Sequence, residues 1–183
     1  TAAVHARAET APVGTSIDDA ADDPAIWRNP HRPAASLIVG TDKKAGLYVY
    51  GLDGRVRSFT AAGRVNNVDL IDLGRRGVIV VASDRNDEAH AKLVIYRLDT
   101  RNGRLDQMGT VAGGSGEAYG VCLMRKGREL YAFSVLKHGA IHQVRLDPDG
   151  GAFAGAIVRS LQLATQTEGC VVDARTNMLY VGE

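Results

Sequence analysis

The sequence predicts an all-β chain built from a repeated four-stranded unit. Helical periodicity is scarce, whereas short β-rich runs bounded by Gly, Asp, Asn and Pro recur along the whole chain. Three segments also align as strand, polar turn, strand and a Leu-Asp turn with glycine: Ser36 to Arg55, Gly77 to Arg104 and Glu129 to Gly151. Finally, Leu47, Leu93 and Ile141 occupy corresponding places at intervals of about 46 to 48 residues, near the period of propeller blades.

A further strand precedes each hairpin, at Pro24 to Trp27, Val68 to Leu73 and Tyr119 to Met124, and Gly169 to Asp173 opens another unit. The unit is therefore a four-stranded meander. A β-sandwich also uses short strands, but it does not require turn chemistry to recur in phase, so a β-propeller is the expectation. The expected layout is an N-terminal segment over 1–17 and a partial propeller over 18–183. Its blades fall near 18–60, 66–111 and 117–163, with the start of the next at 166–183. A ring closes only with more blades, so the sequence reads as part of a longer propeller.

The charge balance excludes some partners. Lys+Arg number 22 against 21 Asp+Glu, a net +1, which favours neither nucleic acid nor an anionic membrane. No apolar run approaches the roughly 18 residues of a bilayer span. The small, polar opening stretch fits what remains of a processed precursor, and a secreted or periplasmic location of bacterial type is expected. Cys122 and Cys170 each lie in an apolar run and are expected to be buried free thiols rather than a bridge.

The repeat gives the local charges meaning. In an antiparallel meander, the turn between the second and third strands and the link into the next first strand emerge on one face. The turns carry Lys43 and Lys44, then Arg85, then Lys137 with His138. The links carry Asp22 and Asp23, then Asp69, Glu117 and Glu168. Radial repetition brings cations and carboxylates to one mouth of the channel, a site suited to a polyanion held with a metal. Hard carboxylate donors favour Ca²⁺, and no Cys/His spacing argues for zinc. Both Lys44 and Arg85 are expected to be exposed, and Tyr119 follows Glu117 at the mouth. Asp53-Gly54, Asp99 to Gly103 and Asp147 to Gly150 read as turn formers on the opposite face, Trp27 as blade packing, and Gly113 to Gly116 as a flexible loop between blades.

Five segments in order, Asp19 to Trp27, Thr41 to Tyr50, Asn66 to Asp69, Glu117 to Gly120 and Gln166 to Gly169, resemble the signature segments of β-propeller phytases. The resemblance runs from about Asp18 to the last residue. It implies a six-bladed propeller, monomeric when complete, that binds several calcium ions and takes phytate (myo-inositol hexakisphosphate) or calcium-phytate as substrate. By motif position it implies that Lys44, Arg85 and Lys137 hold substrate phosphates with Lys43 and His138 beside them, and that Tyr119 and Glu168 join the catalytic set. It implies metal ligation by Asp22, Asp23, Val68, Tyr119, Glu168 and Glu183, and hydrolysis by a calcium-activated water. Two alternatives stay open: a calcium-dependent propeller lactonase, and a non-enzymatic propeller that binds a polyanion or protein.

Overall fold

The computed structural model describes residues 3–6, 8–16, 19–149 and 151–183. The expected domain start at Asp18 and the turn glycine Gly150 lie outside the described residues. Twelve of the strands form three four-stranded antiparallel sheets, each in simple sequence order. The first contains β1 (Ala21–Trp27), β2 (Leu37–Asp42), β3 (Gly46–Gly51) and β4 (Val56–Ala61). The second contains β5 (Val65–Asp72), β6 (Val78–Asp84), β7 (His90–Asp99) and β8 (Arg104–Ser115), and the third β9 (Ala118–Lys126), β10 (Glu129–Leu136), β11 (Ala140–Asp149) and β12 (Ala152–Gln162). A hairpin of β13 (Cys170–Asp173) and β14 (Met178–Val181) follows. The all-β expectation holds, with blade-like meanders that do not close into a ring.

The sheets stack face to face, and the sequence of β6 shows why. Val78, Val80 and Ala82 join a core with Ala25, Val39, Leu47 and Val49 of the first sheet. The alternate residues Ile79 and Val81 join a second core with Val121, Leu123, Ala132 and Val144 of the third. Successive strand side chains point to opposite faces, so a sheet buried on both sides needs an unbroken apolar run. Each buried Val or Ile of this run contributes about 1.5–3 kcal/mol relative to exposure. A third core joins Cys122, Phe133 and Ile141 to Val172 and Leu179 of the hairpin. Neighbouring sheets meet along their first strands, β1 against β5, β5 against β9 and β9 against β13, which is the radial arrangement of a propeller.

The register exposes three departures from expectation. Cys122 and Cys170 form a disulfide, with Cα atoms 5.7 Å apart, instead of standing as free thiols. Their strands are spatial neighbours, and that separation lies in the range a bridge requires. Gly113, Gly114 and Ser115 belong to β8, where Ala91 pairs with Gly114 and His90 with Ser115, so this stretch is strand and not a free loop. Asp69 lies within β5 opposite Val81 rather than in a connector, because β5 already begins at Val65.

Trp27 packs as expected. It is buried in the first core, and its Nε1 donates to Asp72 Oδ2 at 2.9 Å on the neighbouring sheet. Gly54 (φ 74°) and Gly103 (φ 77°) take the left-handed turn conformation that glycine adopts without strain. The N-terminal stretch lies along the first sheet, where Ala11 N donates to Gly54 O and Gly14 N to the Tyr48 hydroxyl.

Candidate functional site at the rim of the sheets

A cation follows the second strand of each four-stranded sheet: Lys43 after β2, Arg85 after β6 and Lys137 after β10. In each case its peptide N–H donates to the connector that leads into the same sheet. Lys43 donates to Ala20 O at 2.8 Å, Arg85 to Arg64 O at 3.0 Å and Lys137 to Glu117 O at 3.1 Å. The main chain thereby delivers one cation per sheet to one rim. The register puts Lys43 in phase with Arg85 and Lys137, and Lys44 follows one residue later. Lys44 is exposed, its N–H donates to Asp42 Oδ1 at 3.0 Å, and among the described residues no carboxylate lies within ion-pair distance of its ammonium.

The other cations are held by carboxylates. Lys43 Nζ lies 2.6 Å from Asp19 Oδ2 and 3.7 Å from Asp22 Oδ1. Burial pulls the Lys43 ammonium down, but the carboxylates of Asp19 and Asp22 outweigh it and hold its pKa above the usual value. Glu117 takes two cations from successive sheets: Arg85 Nη1 at 3.3 Å on Oε1 and Lys137 Nζ at 3.0 Å on Oε2. The Lys137 ammonium also stands 5.5 Å from the centroid of the Tyr119 ring, in cation–π range.

Arg85 departs from the expected exposure. Its side chain is only 12% exposed, because Glu117 draws it inward between the sheets. Its Nε is buried and meets no acceptor. A buried donor without a partner costs about 1–3 kcal/mol. The His138 ring lies against Gly116, the residue before Glu117, and among the described residues it makes no ion pair with the rim carboxylates.

The acids gather beside these tips. Asp23 Oδ2 accepts from Val68 N at 3.0 Å across the seam between the first two sheets, and Asp23 N donates to Thr41 Oγ1 at 3.0 Å. The buried Val68 therefore has its N–H engaged by a carboxylate. Glu168 Oε1 accepts from Asn66 Nδ2 at 2.9 Å, and Glu183 shares a shallow depression with Glu168. Burial pushes the Asp22 carboxyl up against the opposing pull of Lys43, and the charge of Glu168 adds to the rise. Burial likewise pushes Asp23 up, opposed by the Val68 N–H and reinforced by Asp22.

These carboxylates offer hard oxygen donors whose negative charge is under-compensated, and that chemistry fits a divalent cation such as calcium. Among the described residues no three His, Cys, Asp or Glu side chains converge closely enough to hold a metal by themselves. Asp22, Asp23 and Glu168 match such an ion in donor type, but among the described residues they do not converge into a binding cluster.

Several contributors escape a reading of the sequence. Asn66 and Asn67 are buried and linked at 2.7 Å, and Asn66 Nδ2 also donates to Glu168. Ser83 is fully buried. Its Oγ accepts from Asn67 N at 2.9 Å and donates to Tyr119 O at 2.6 Å, tying the second sheet to the third beneath the rim. Polar residues beside a strand end look like ordinary turn formers until the neighbouring sheet is placed.

Comparison with known proteins gives a consistent result. The family model described as Phytase matches residues 1–183. A curated 3-phytase of Bacillus subtilis (strain 168) is 35% identical over 190 aligned positions, which cover 98% of this chain and 50% of the relative. The chain spans about half the length of that curated relative.

Proposed function

The chain belongs to the phytase family, and from that premise we propose that the complete protein is a calcium-dependent phosphomonoesterase that releases inorganic phosphate from phytate. One observation carries the reading: Arg85 and Lys137, from successive sheets, converge on Glu117 while Arg85 Nε has no acceptor. Phosphate supplies several acceptor oxygens, and guanidinium and ammonium groups bind it through charge-assisted hydrogen bonds. Lys43 and Lys44 at the next tip give a second place for a neighbouring phosphate of a polyphosphorylated ring. Glu117 holds Arg85 and Lys137 in register, and the Tyr119 ring supports the Lys137 ammonium.

Asp22, Asp23, Glu168 and Glu183, with the Val68 main chain and the Tyr119 hydroxyl, would hold the calcium. When bound, calcium neutralises phosphate charge and polarises a water for attack on phosphorus. Hydrolysis forms a bond from a water oxygen to phosphorus and breaks the ester P–O bond, and it requires no phosphoenzyme. Arg85 and Lys137 stabilise the charge that develops on the phosphoryl oxygens.

The test is phosphate release from phytate by the full-length protein, with and without a calcium chelator, in the wild type and in Arg85→Ala. Chelation should abolish release and calcium should restore it, while Arg85→Ala should lower kcat/KM at least tenfold with folding retained. Release that survives chelation would defeat the calcium mechanism. Tight phytate binding without phosphate release would favour the binding-only propeller, and turnover of lactones in place of phytate the lactonase.

A further inference from the structure

The face opposite the rim carries a second concentration of positive charge. Between the second and third sheets a pocket of about 370 Å³ is lined by Ile79, Met108, Leu130 and Phe153, and four arginines surround it. Arg75 and Arg76 come from the short 3-10 turn after β5, Arg97 from the end of β7 and Arg128 from the β9–β10 turn. The antiparallel register sends these ends away from the tips that carry Lys43, Arg85 and Lys137.

Among the described residues nine exposed arginines make no ion pair, and four of the nine gather around this pocket. Arg57, Arg64, Arg104 and Arg175, also exposed, each hold an Asp or Glu. Among the described residues, none of Arg75, Arg76, Arg97 and Arg128 lies within ion-pair distance of a carboxylate, and Arg76 Nη1 instead donates to Arg128 O at 3.5 Å across the seam. The side chain of Arg97 passes beside Gly77, with its Nε 3.7 Å from where a Cβ would stand. Four like charges crowded over an apolar floor call for an anion that also has apolar surface. The volume is within the range of small-molecule sites, and a guanidinium fork matches a carboxylate or phosphate head.

We propose that this pocket binds a small amphiphilic anion, with an apolar body of ring or short-acyl size in the pocket and a carboxylate or phosphate monoester head on the arginines. The site is separate from the rim and does not depend on the function proposed for it. The floor contributes affinity by burying carbon, and the arginines select charge.

Calorimetric titration of the full chain with octanoate, octyl phosphate, octanol and inorganic phosphate tests the proposal. Octanoate or octyl phosphate should bind, and the tighter of the two identifies the preferred head. Octanol and inorganic phosphate should each bind at least tenfold more weakly. The double variant Arg76→Gln/Arg97→Gln, at two exposed positions, should weaken the anion at least tenfold without moving the unfolding midpoint. Arg85→Ala at the rim should leave this binding unchanged. Failure of both anions to bind, equal binding of octanol or inorganic phosphate, full affinity in the double variant, or loss of binding in Arg85→Ala would each overturn the proposal.

Discussion

Two seams of the molecule use one strand position in different ways. Asp69 on β5 pairs with Val81, and Cys122 on β9 pairs with Phe133, so the two residues are equivalent in their sheets. Asp69 Oδ2 accepts from Leu123 N at 2.8 Å, which joins the second sheet to the third, while its Oδ1 accepts from Leu70 N at 2.7 Å within β5. Cys122 joins the third sheet to β13 by a covalent bond to Cys170. The first sheet has Ala25 at this position, and there Asp23, two residues nearer the rim, reaches Val68 N instead. The second-to-third seam has a long apolar core behind its carboxylate, whereas the hairpin offers only partly buried apolar side chains to its seam. One strand position thus carries a non-covalent link at one seam and a covalent link at the next.

That comparison can be broken at either seam. The largest effect is expected from Cys122→Ser with Cys170→Ser, which opens a link of sequence separation 48. In the chain-entropy model the loss is about 4 kcal/mol, read as a lower thermal midpoint. An unchanged midpoint would show that the hairpin docks without its staple. Asp69→Ala should cost less, about 1–3 kcal/mol in denaturant unfolding, because the Leu123 N–H loses its acceptor. A loss as large as that of the cysteine pair would mean that the two seams do not differ as described.

The smallest effect is a pH dependence. Burial raises the Asp69 carboxyl to about 6, against the opposing pull of the Leu123 and Leu70 N–H groups. Its folded value exceeds the ordinary carboxylate value near 4, so its protonation favours the folded state. That contribution is fully present below about pH 4 and is lost as pH rises through about 6. The stability of the wild type relative to Asp69→Asn should therefore decline between about pH 4 and 6. A constant difference across that window would show that the carboxyl titrates normally.

Much of the fold could be read from the sequence, because strand, polar turn and strand recur with unbroken apolar runs such as Val78 to Ala82. The phase of the cations was also visible. The register within a turn was not: Lys43 and Lys44 are adjacent and chemically alike, and only the pairing of Ala21 with Asp42 puts Lys43 in step with Arg85 and Lys137. The disulfide and the burial of Arg85 were hidden for a related reason. Both depend on which strands of different sheets lie side by side, which local pattern does not encode. The arginines of the opposite face are dispersed along the chain at 75, 76, 97 and 128, and only the stacking of two sheets unites them.

The anchoring of each rim cation through its own peptide N–H has a consequence for how such a protein can change. Because the tip is fixed by backbone atoms common to nearly every amino acid, the side chain there can be exchanged without disturbing where the tip is held. Lysine and arginine already alternate at the three places. Reach and donor geometry are thus adjustable one sheet at a time by single substitutions on an unchanged scaffold.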